Sequence, residues 1–173
     1  MDLDILRNER QEAMQLLRDS LQEELIACEI SESEEDGTPD VLNVVLDMIG
    51  EGEGAVGEFF FLPEADEELK VQMIQGVITL FDGIKEENLQ ELFEAMSYIN
   101  FRLPMGHYCI DKEKKYLVYR LTVPVPADLY REDLLAELNI VVGNAVQMAD
   151  MYFDELYRIS EGELTTAELM LAL

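Results

Sequence analysis

The spacing of apolar residues changes along the chain, and this change constrains the fold more than any other feature of the sequence. Three segments repeat apolar residues every three or four positions, as a helix with one buried face does: residues 2–27, 85–101 and 132–159. Five segments are β-rich, and the first of them alternates apolar and polar residues: residues 41–49, 55–62, 69–81, 105–110 and 116–125. The sequence therefore predicts both helices and strands, in a defined order.

This order predicts an α+β fold, α-β-β-β-α-β-β-α, arranged as a two-layer sandwich with a mainly antiparallel sheet. The chain has 173 residues, which is near the usual size of one domain, so we expect a single domain over residues 1–173. Within it we expect an N-terminal helix at 1–27, an acidic loop at 28–40 and a C-terminal tail at 160–173.

The chain is strongly acidic, with 12 Lys and Arg residues against 38 Asp and Glu residues and a net charge of −26. Such a surface repels phosphate backbones and anionic lipid, so neither nucleic acid nor a membrane is expected as a partner. Between residues 19 and 69 there are 17 acidic residues and no Lys or Arg. A basic protein is the partner that this uneven charge favours.

The sequence also predicts a cytoplasmic protein. It opens with acidic residues where a signal peptide would carry positive charge, and no apolar run approaches the length of a membrane span. Its two cysteines, Cys28 and Cys109, fall short of a disulfide framework. We interpret both as small, partly buried apolar side chains.

One residue pair could carry chemistry. His107 and Cys109 are two positions apart in a strand, so they share a face, and a Cys/His enzyme is a remote alternative function. No third residue that would orient the pair is identifiable, and packing in the sheet explains both residues. The sequence therefore predicts no catalytic residue.

No cofactor or metal site is predicted either. The acidic segment around Asp36 loosely follows a calcium-binding loop, but Asn43 stands where that loop needs a bidentate Glu. The glycine-rich run at 50–54 lacks the Lys and Ser/Thr of a phosphate-binding loop, and a hairpin turn explains it.

Two apolar features suggest a protein-binding surface. Three consecutive phenylalanines in a strand must place side chains on both faces of the sheet, and the last long helix has an apolar stripe wider than a surface helix needs. Helices covering both faces would explain these features equally well. As partner-binding residues we expect Phe59, Phe60, Phe61, Val142, Tyr152, Phe153 and Leu156.

The second strand pair and the last helix resemble a known family. The turn from Asp111 to Lys115, the Tyr119-Arg120 pair, the Asn144-Ala145 pair, Asp150 and Phe153 are similar to motifs of the YbjN-like group of small bacterial proteins. The fold of that group resembles type III secretion chaperones. The resemblance implies a cytoplasmic homodimer that binds protein segments without catalysis.

Two functions other than catalysis are therefore in competition. The leading hypothesis is a non-enzymatic interaction module, chaperone-like or regulatory, that binds a partner polypeptide as a homodimer. The alternative is an acidic mimic of nucleic acid that inhibits a DNA- or RNA-binding protein. The charge of such a mimic would come from Glu32, Glu34, Glu35, Asp36, Asp40, Glu64, Asp66, Glu67 and Glu68.

Overall fold

A computed structural model of the chain describes residues 3–32, 38–51, 53–63, 71–129 and 131–173. The helices are α1 Leu3–Glu23, α2 Leu89–Asn100, α3 Arg131–Asp150, α4 Phe153–Glu161 and α5 Thr166–Ala172, and a short 3-10 turn, Glu86–Asn88, precedes α2. The strands are β1 Cys28–Ser31, β2 Val41–Ile49, β3 Glu53–Phe61, β4 Val71–Phe81, β5 His107–Asp111 and β6 Tyr116–Pro126.

The six strands form one sheet in the order β1-β2-β3-β4-β6-β5, and every neighbouring pair is antiparallel. The first four strands follow one another as a meander. The chain then runs through α2 to the far edge as β5 and returns as β6 beside β4. The predicted α+β class with an antiparallel sheet and a layer of helices is confirmed.

The core lies between the sheet and the helices. Because strand residues alternate between faces, the side chains of Leu42, Val44, Phe59, Ile74 and Ile78 all point to the same side and are buried there. Helix α3 contacts β4 and β6 on this side, and α1 packs against both α3 and β1.

Phe59 packs between the sheet and α3 beside a glycine. Its ring lies over Gly76, the residue directly opposite on β4. A Cβ atom built on Gly76 would lie 2.9 Å from the ring of Phe59 and 3.6 Å from the Cβ of Ala145 on α3. Glycine at this position is therefore what leaves room for the aromatic ring beneath the helix.

The structure adds one strand to the predicted order. Residues 28–31, placed by the sequence in an acidic loop at 28–40, form the edge strand β1, which pairs with β2. Cys28 and Ile30 are half-buried on the helix side and alternate with two exposed residues. Four residues are too few for such alternation to stand out from a polar segment. Residues 33–37 of the predicted loop lie outside the described part of the chain.

The last predicted helix is two helices. The backbone leaves helical geometry at Tyr152, where φ is −131°, so α3 ends at Asp150 and α4 begins at Phe153. The apolar spacing continues through this break, because buried residues on both sides of it face the same core. Periodicity alone therefore predicted one continuous helix.

The predicted tail at 160–173 contains helix α5. Thr165 begins it with a capping box: its side-chain oxygen accepts a hydrogen bond from the backbone N–H of Glu168, and the Glu168 carboxylate accepts one from the backbone of Thr165. Leu169 anchors the helix in the core at 1% exposure. Among the described residues, no helix is long and apolar enough to cross a membrane.

Candidate interaction surface

The sheet has one face on which no described helix packs. We call it the open face. It consists of the strand side chains that alternate with those facing the helices, and two of its members, Gln75 and Val118, are nevertheless buried. Its members on the four longest strands are Val41, Asn43, Val45, Asp47, Val56, Glu58, Phe60, Val71, Met73, Gln75, Val77, Thr79, Val118, Arg120, Thr122 and Pro124, and on β5 they are His107, Cys109 and Asp111.

An exposed apolar pair lies on the open face. Val45 and Val56 are direct cross-strand neighbours, and they are 47% and 46% exposed. Val71 and Met73 on β4 are also exposed, but they lie towards the other end of that strand from Thr79, the residue opposite Val56. Exposed apolar side chains also occur on the helices. An adjacent pair such as Val45 and Val56 marks a contact surface more clearly than single exposed residues do.

One cross-strand row of the open face carries charge. Reading across the sheet, the register places Asn43, Glu58, Val77, Arg120 and His107 side by side. With the Gln75 carboxamide turned so that its oxygen faces the guanidinium, Arg120 donates two hydrogen bonds to it, at 2.5 and 3.1 Å. Gln75 is buried and so holds Arg120 in place on the face.

Side chains from the helices occupy part of both edges of this sheet. On β5, the Asn100 carboxamide accepts a 2.8 Å hydrogen bond from the N–H of Tyr108 and donates a 2.9 Å bond to its carbonyl oxygen. On β1, the Gln22 amide donates a 3.0 Å bond to the carbonyl oxygen of Cys28. Both edge strands are also short, so neither offers a long template for another strand.

The seven residues expected to bind a partner divide between the core and the surface. Five of them are buried against other parts of the chain: Phe59, Phe61, Val142, Phe153 and Leu156. In this conformation their side chains are not accessible to a partner. The expected alternation of the three phenylalanines is present, since the central one, Phe60, points to the open face and is half-buried.

Tyr152 is the other expected residue that stays partly exposed, and it lies in the break between α3 and α4. The wide apolar stripe of the last helix is explained by packing within the chain. Its α3 part contacts the sheet and α1, and its α4 part contacts α2. The sequence signal that could have located the open face is the alternate set of strand residues, such as Val45 and Val56, which the sequence analysis did not single out.

His107 and Cys109 do share the open face, as their spacing predicts. Burial raises the pKa of the Cys109 thiol above its ordinary value, against a smaller lowering by Arg120. A raised pKa disfavours the thiolate that a cysteine nucleophile needs. Burial likewise raises the pKa of Cys28. Both cysteines are free and half-buried, as predicted.

The residues expected to form a nucleic-acid mimic fall mostly outside the described residues. Of the nine, the structure describes Glu32, which is exposed, and Asp40, whose carboxylate accepts a 3.1 Å hydrogen bond from Gln11 on α1. The other seven lie in residues 33–37 and 64–70. Within the described ranges, no group of three His, Cys, Asp or Glu side chains is placed to hold a metal ion.

A cleft of about 530 Å³ opens between α2 and α5, lined in part by Glu91, Glu94 and Thr166. Thr166 bonds across it, donating from its N–H to the Glu91 carboxylate at 2.5 Å and from its hydroxyl to the Glu91 carbonyl at 3.0 Å. These bonds hold α5 against α2, so Glu91 and Thr166 at the rim of the cleft already have partners.

The chain was compared with known proteins, and neither a family model nor a curated protein matches it. The resemblance to the YbjN-like group therefore stays a prediction from the quoted residues. The open face is the candidate site that the geometry itself supplies.

Proposed function

We propose that the protein is a non-enzymatic interaction module that binds another polypeptide on the open face of its sheet. The observation that carries this proposal is the apolar pair Val45 and Val56, which are adjacent on that face and each nearly half exposed. Covering exposed apolar surface lowers the free energy of a protein in water.

The blocked edges indicate how a partner would bind. An added strand would have to pair with β1 or β5, and the outward backbone groups of Tyr108 on β5 are already bonded to Asn100. A partner that packs side chains onto the face meets no such obstacle. Contact through the face is therefore favoured over extension of the sheet.

The thiol chemistry supports a binding role over an enzymatic one. Cys109 is the nucleophilic side chain on the open face, and burial raises its pKa. His107, the only histidine in the sequence, is exposed on the same strand. A nucleophile that resists deprotonation is poorly suited to covalent catalysis.

The setting that we propose is the cytoplasm of a bacterium, as in the YbjN-like group that the second strand pair and last helix resemble. The net charge of −26 keeps such a module soluble and disfavours contact with nucleic acid. The same charge also favours a basic protein as a further partner of the acidic surface outside the open face.

Affinity capture from a bacterial cytoplasmic extract tests the proposal, by comparing the polypeptides that the wild-type protein and its variants retain. The double variant Val45→Glu/Val56→Glu puts two charges at the apolar pair of the open face. The matched control is Ile140→Glu on α3, which alters a side chain of similar exposure, 55%, on the helix layer.

We expect the open-face variant to lose retained polypeptide, including any second copy of the chain, and the α3 control to keep it. Equal retention by the two variants would contradict the proposal, and so would wild-type protein that retains nothing. Circular dichroism of each variant establishes that a loss does not come from unfolding.

A further inference from the structure

We infer that the occupant of the open face is a second copy of this chain. The two sheets would pack face to face about a two-fold axis that runs along β4, with Arg120 of each copy paired to Glu58 of the other. This inference rests on the proposed function, because it names the polypeptide that the open face binds.

The strand register makes the open face complementary to itself. Glu58 on β3 and Arg120 on β6 both lie opposite Val77 on β4, one strand to either side. A two-fold rotation about β4 exchanges the positions of β3 and β6. It therefore places the guanidinium of each copy over the carboxylate of the other, as a symmetric interface requires.

The neighbouring row matches under the same rotation. Val56 on β3 and Val118 on β6 both lie opposite Thr79 on β4. Each copy therefore sets its exposed Val56 over the position of Val118 in the other, where the Val118 side chain is 8% exposed. An exposed apolar side chain would then be covered in one row while opposite charges meet in the next.

The two charges are available for this contact. The Cα atoms of Glu58 and Arg120 are two strand spacings apart, about 10 Å. Within the described part of the chain, neither forms a salt bridge. The Gln75 amide, a neutral group, holds Arg120 instead of a carboxylate. A second copy would give each of these two side chains a partner of opposite charge.

The charges beside β4 favour a second copy over a basic protein at this place. On β3, β4 and β6, the described side chains of the open face include one acid, Glu58, and one base, Arg120. The other acids of the face, Glu29, Asp47 and Asp111, lie on the outer strands β1, β2 and β5. At the centre a basic partner would pair with Glu58 but be repelled by Arg120, whereas a second copy pairs both charges.

The size of the face is also sufficient. Strands about 4.8 Å apart, rising about 3.3 Å per residue, give the six-stranded face an area of roughly 750 Å². A standard protein interface buries roughly 800 Å² on each partner. Two sheets stacked in this way would lie about 10 Å apart, as in a β-sandwich.

Sedimentation equilibrium of the purified full-length chain tests the inference. Arg120→Glu and Glu58→Arg are each expected to raise the dimer dissociation constant by about tenfold or more, because each puts like charges together twice in the symmetric contact. The double variant Glu58→Arg/Arg120→Glu should restore dimerisation. The control pair Glu113→Arg and Lys114→Glu makes the same charge changes in the exposed β5–β6 turn and should leave the constant unchanged.

A monomeric wild type, unchanged dimerisation in the single variants, or a double variant that dimerises no better than they do would overturn the inference. If a charge reversal prevents folding, Glu58→Gln and Arg120→Gln remove the charges singly and should each weaken the dimer. A monomer that still retains another polypeptide through the open face would refute the second copy and leave the proposed function standing.

Discussion

Phe59 and the glycines around it show how single residues set the distance between the sheet and the helices. Gly76 has no room for a Cβ atom, because the ring of Phe59 lies 2.9 Å from where that atom would be. Gly143, on the exposed side of α3, has nothing within 4 Å of the same position. We therefore expect replacement by alanine to change stability in opposite directions at the two glycines.

We expect Gly76→Ala to lower the free energy of unfolding by about 1–3 kcal/mol, because the ring and α3 must move to accept the added carbon. Gly143→Ala should raise it by up to about 1 kcal/mol, because alanine is the better helix former. Urea denaturation measures both changes. Equal effects in the two variants would show that Phe59 does not lie against Gly76.

A second prediction at this scale concerns alkaline pH. Burial raises the pKa of Tyr119 to about 12, whereas a tyrosine in an unfolded chain ionises near pH 10. As pH rises, the unfolded chain loses this proton first. The stability linked to Tyr119 is therefore fully present below about pH 10 and is lost between about pH 10 and 12.

Tyr119→Phe removes this titration together with a 2.9 Å hydrogen bond from the Tyr119 hydroxyl to the carbonyl oxygen of Met105. The variant should be less stable at neutral pH but should lose stability less steeply above about pH 10. Unfolding in urea at a series of pH values measures the slope. The same slope in wild type and variant would contradict the burial of this hydroxyl.

Among the elements, the edge strand β5 depends on a helix side chain. Asn100, the last residue of α2, bonds both backbone groups of Tyr108 and takes the place of a neighbouring strand. Asn100→Ala should lower the free energy of unfolding by about 1–3 kcal/mol, because it leaves a donor and an acceptor unpaired at the edge.

Asn139 provides the matched control. It is exposed on α3, and its amide donates a 3.0 Å hydrogen bond to the carbonyl oxygen of Leu135 within the same helix. Asn139→Ala is expected to change stability little, since alanine favours the helix. Thermal unfolding compares the two variants. If Asn139→Ala lowered stability as much as Asn100→Ala, the contact of Asn100 with the edge strand would have no special role.

The elements also show what the sequence could predict. Apolar spacing predicted the type of element for every long helix and strand, because burial of one face imposes a regular period over nine residues or more. It missed β1, which has only four residues, and the break at Tyr152, which the apolar stripe crosses without interruption. Both are set by contacts with other elements, and these leave no local period.

The candidate site was harder to predict for a related reason. An aromatic residue such as Phe59 or Phe153 has the same sequence signature whether it fills the core or a binding surface. The deciding factor is which face the helices cover, and that depends on packing over the whole chain. Phe60 alone among the three phenylalanines pointed toward the open face, as strand alternation requires.

For the whole molecule, the net charge of −26 predicts a dependence on salt. Repulsion among so many carboxylates destabilises the compact state, and dissolved ions screen it. The free energy of unfolding should therefore rise as sodium chloride is added at pH 7. Near the isoelectric point of about 4.1 the net charge is small, so the same salt series should have a much weaker effect. Stability that falls with salt at pH 7 would contradict this view of the surface.

The central claim, that the open face is the interaction surface, is tested most directly by photo-crosslinking. A photoreactive amino acid is placed either at Val56 on the open face or, as the control, at Ile140 on α3, since the two side chains are 46% and 55% exposed. The account predicts crosslinks to a second copy of the chain from position 56 and few or none from position 140. Crosslinks that form equally from both positions, or mainly from position 140, would contradict it.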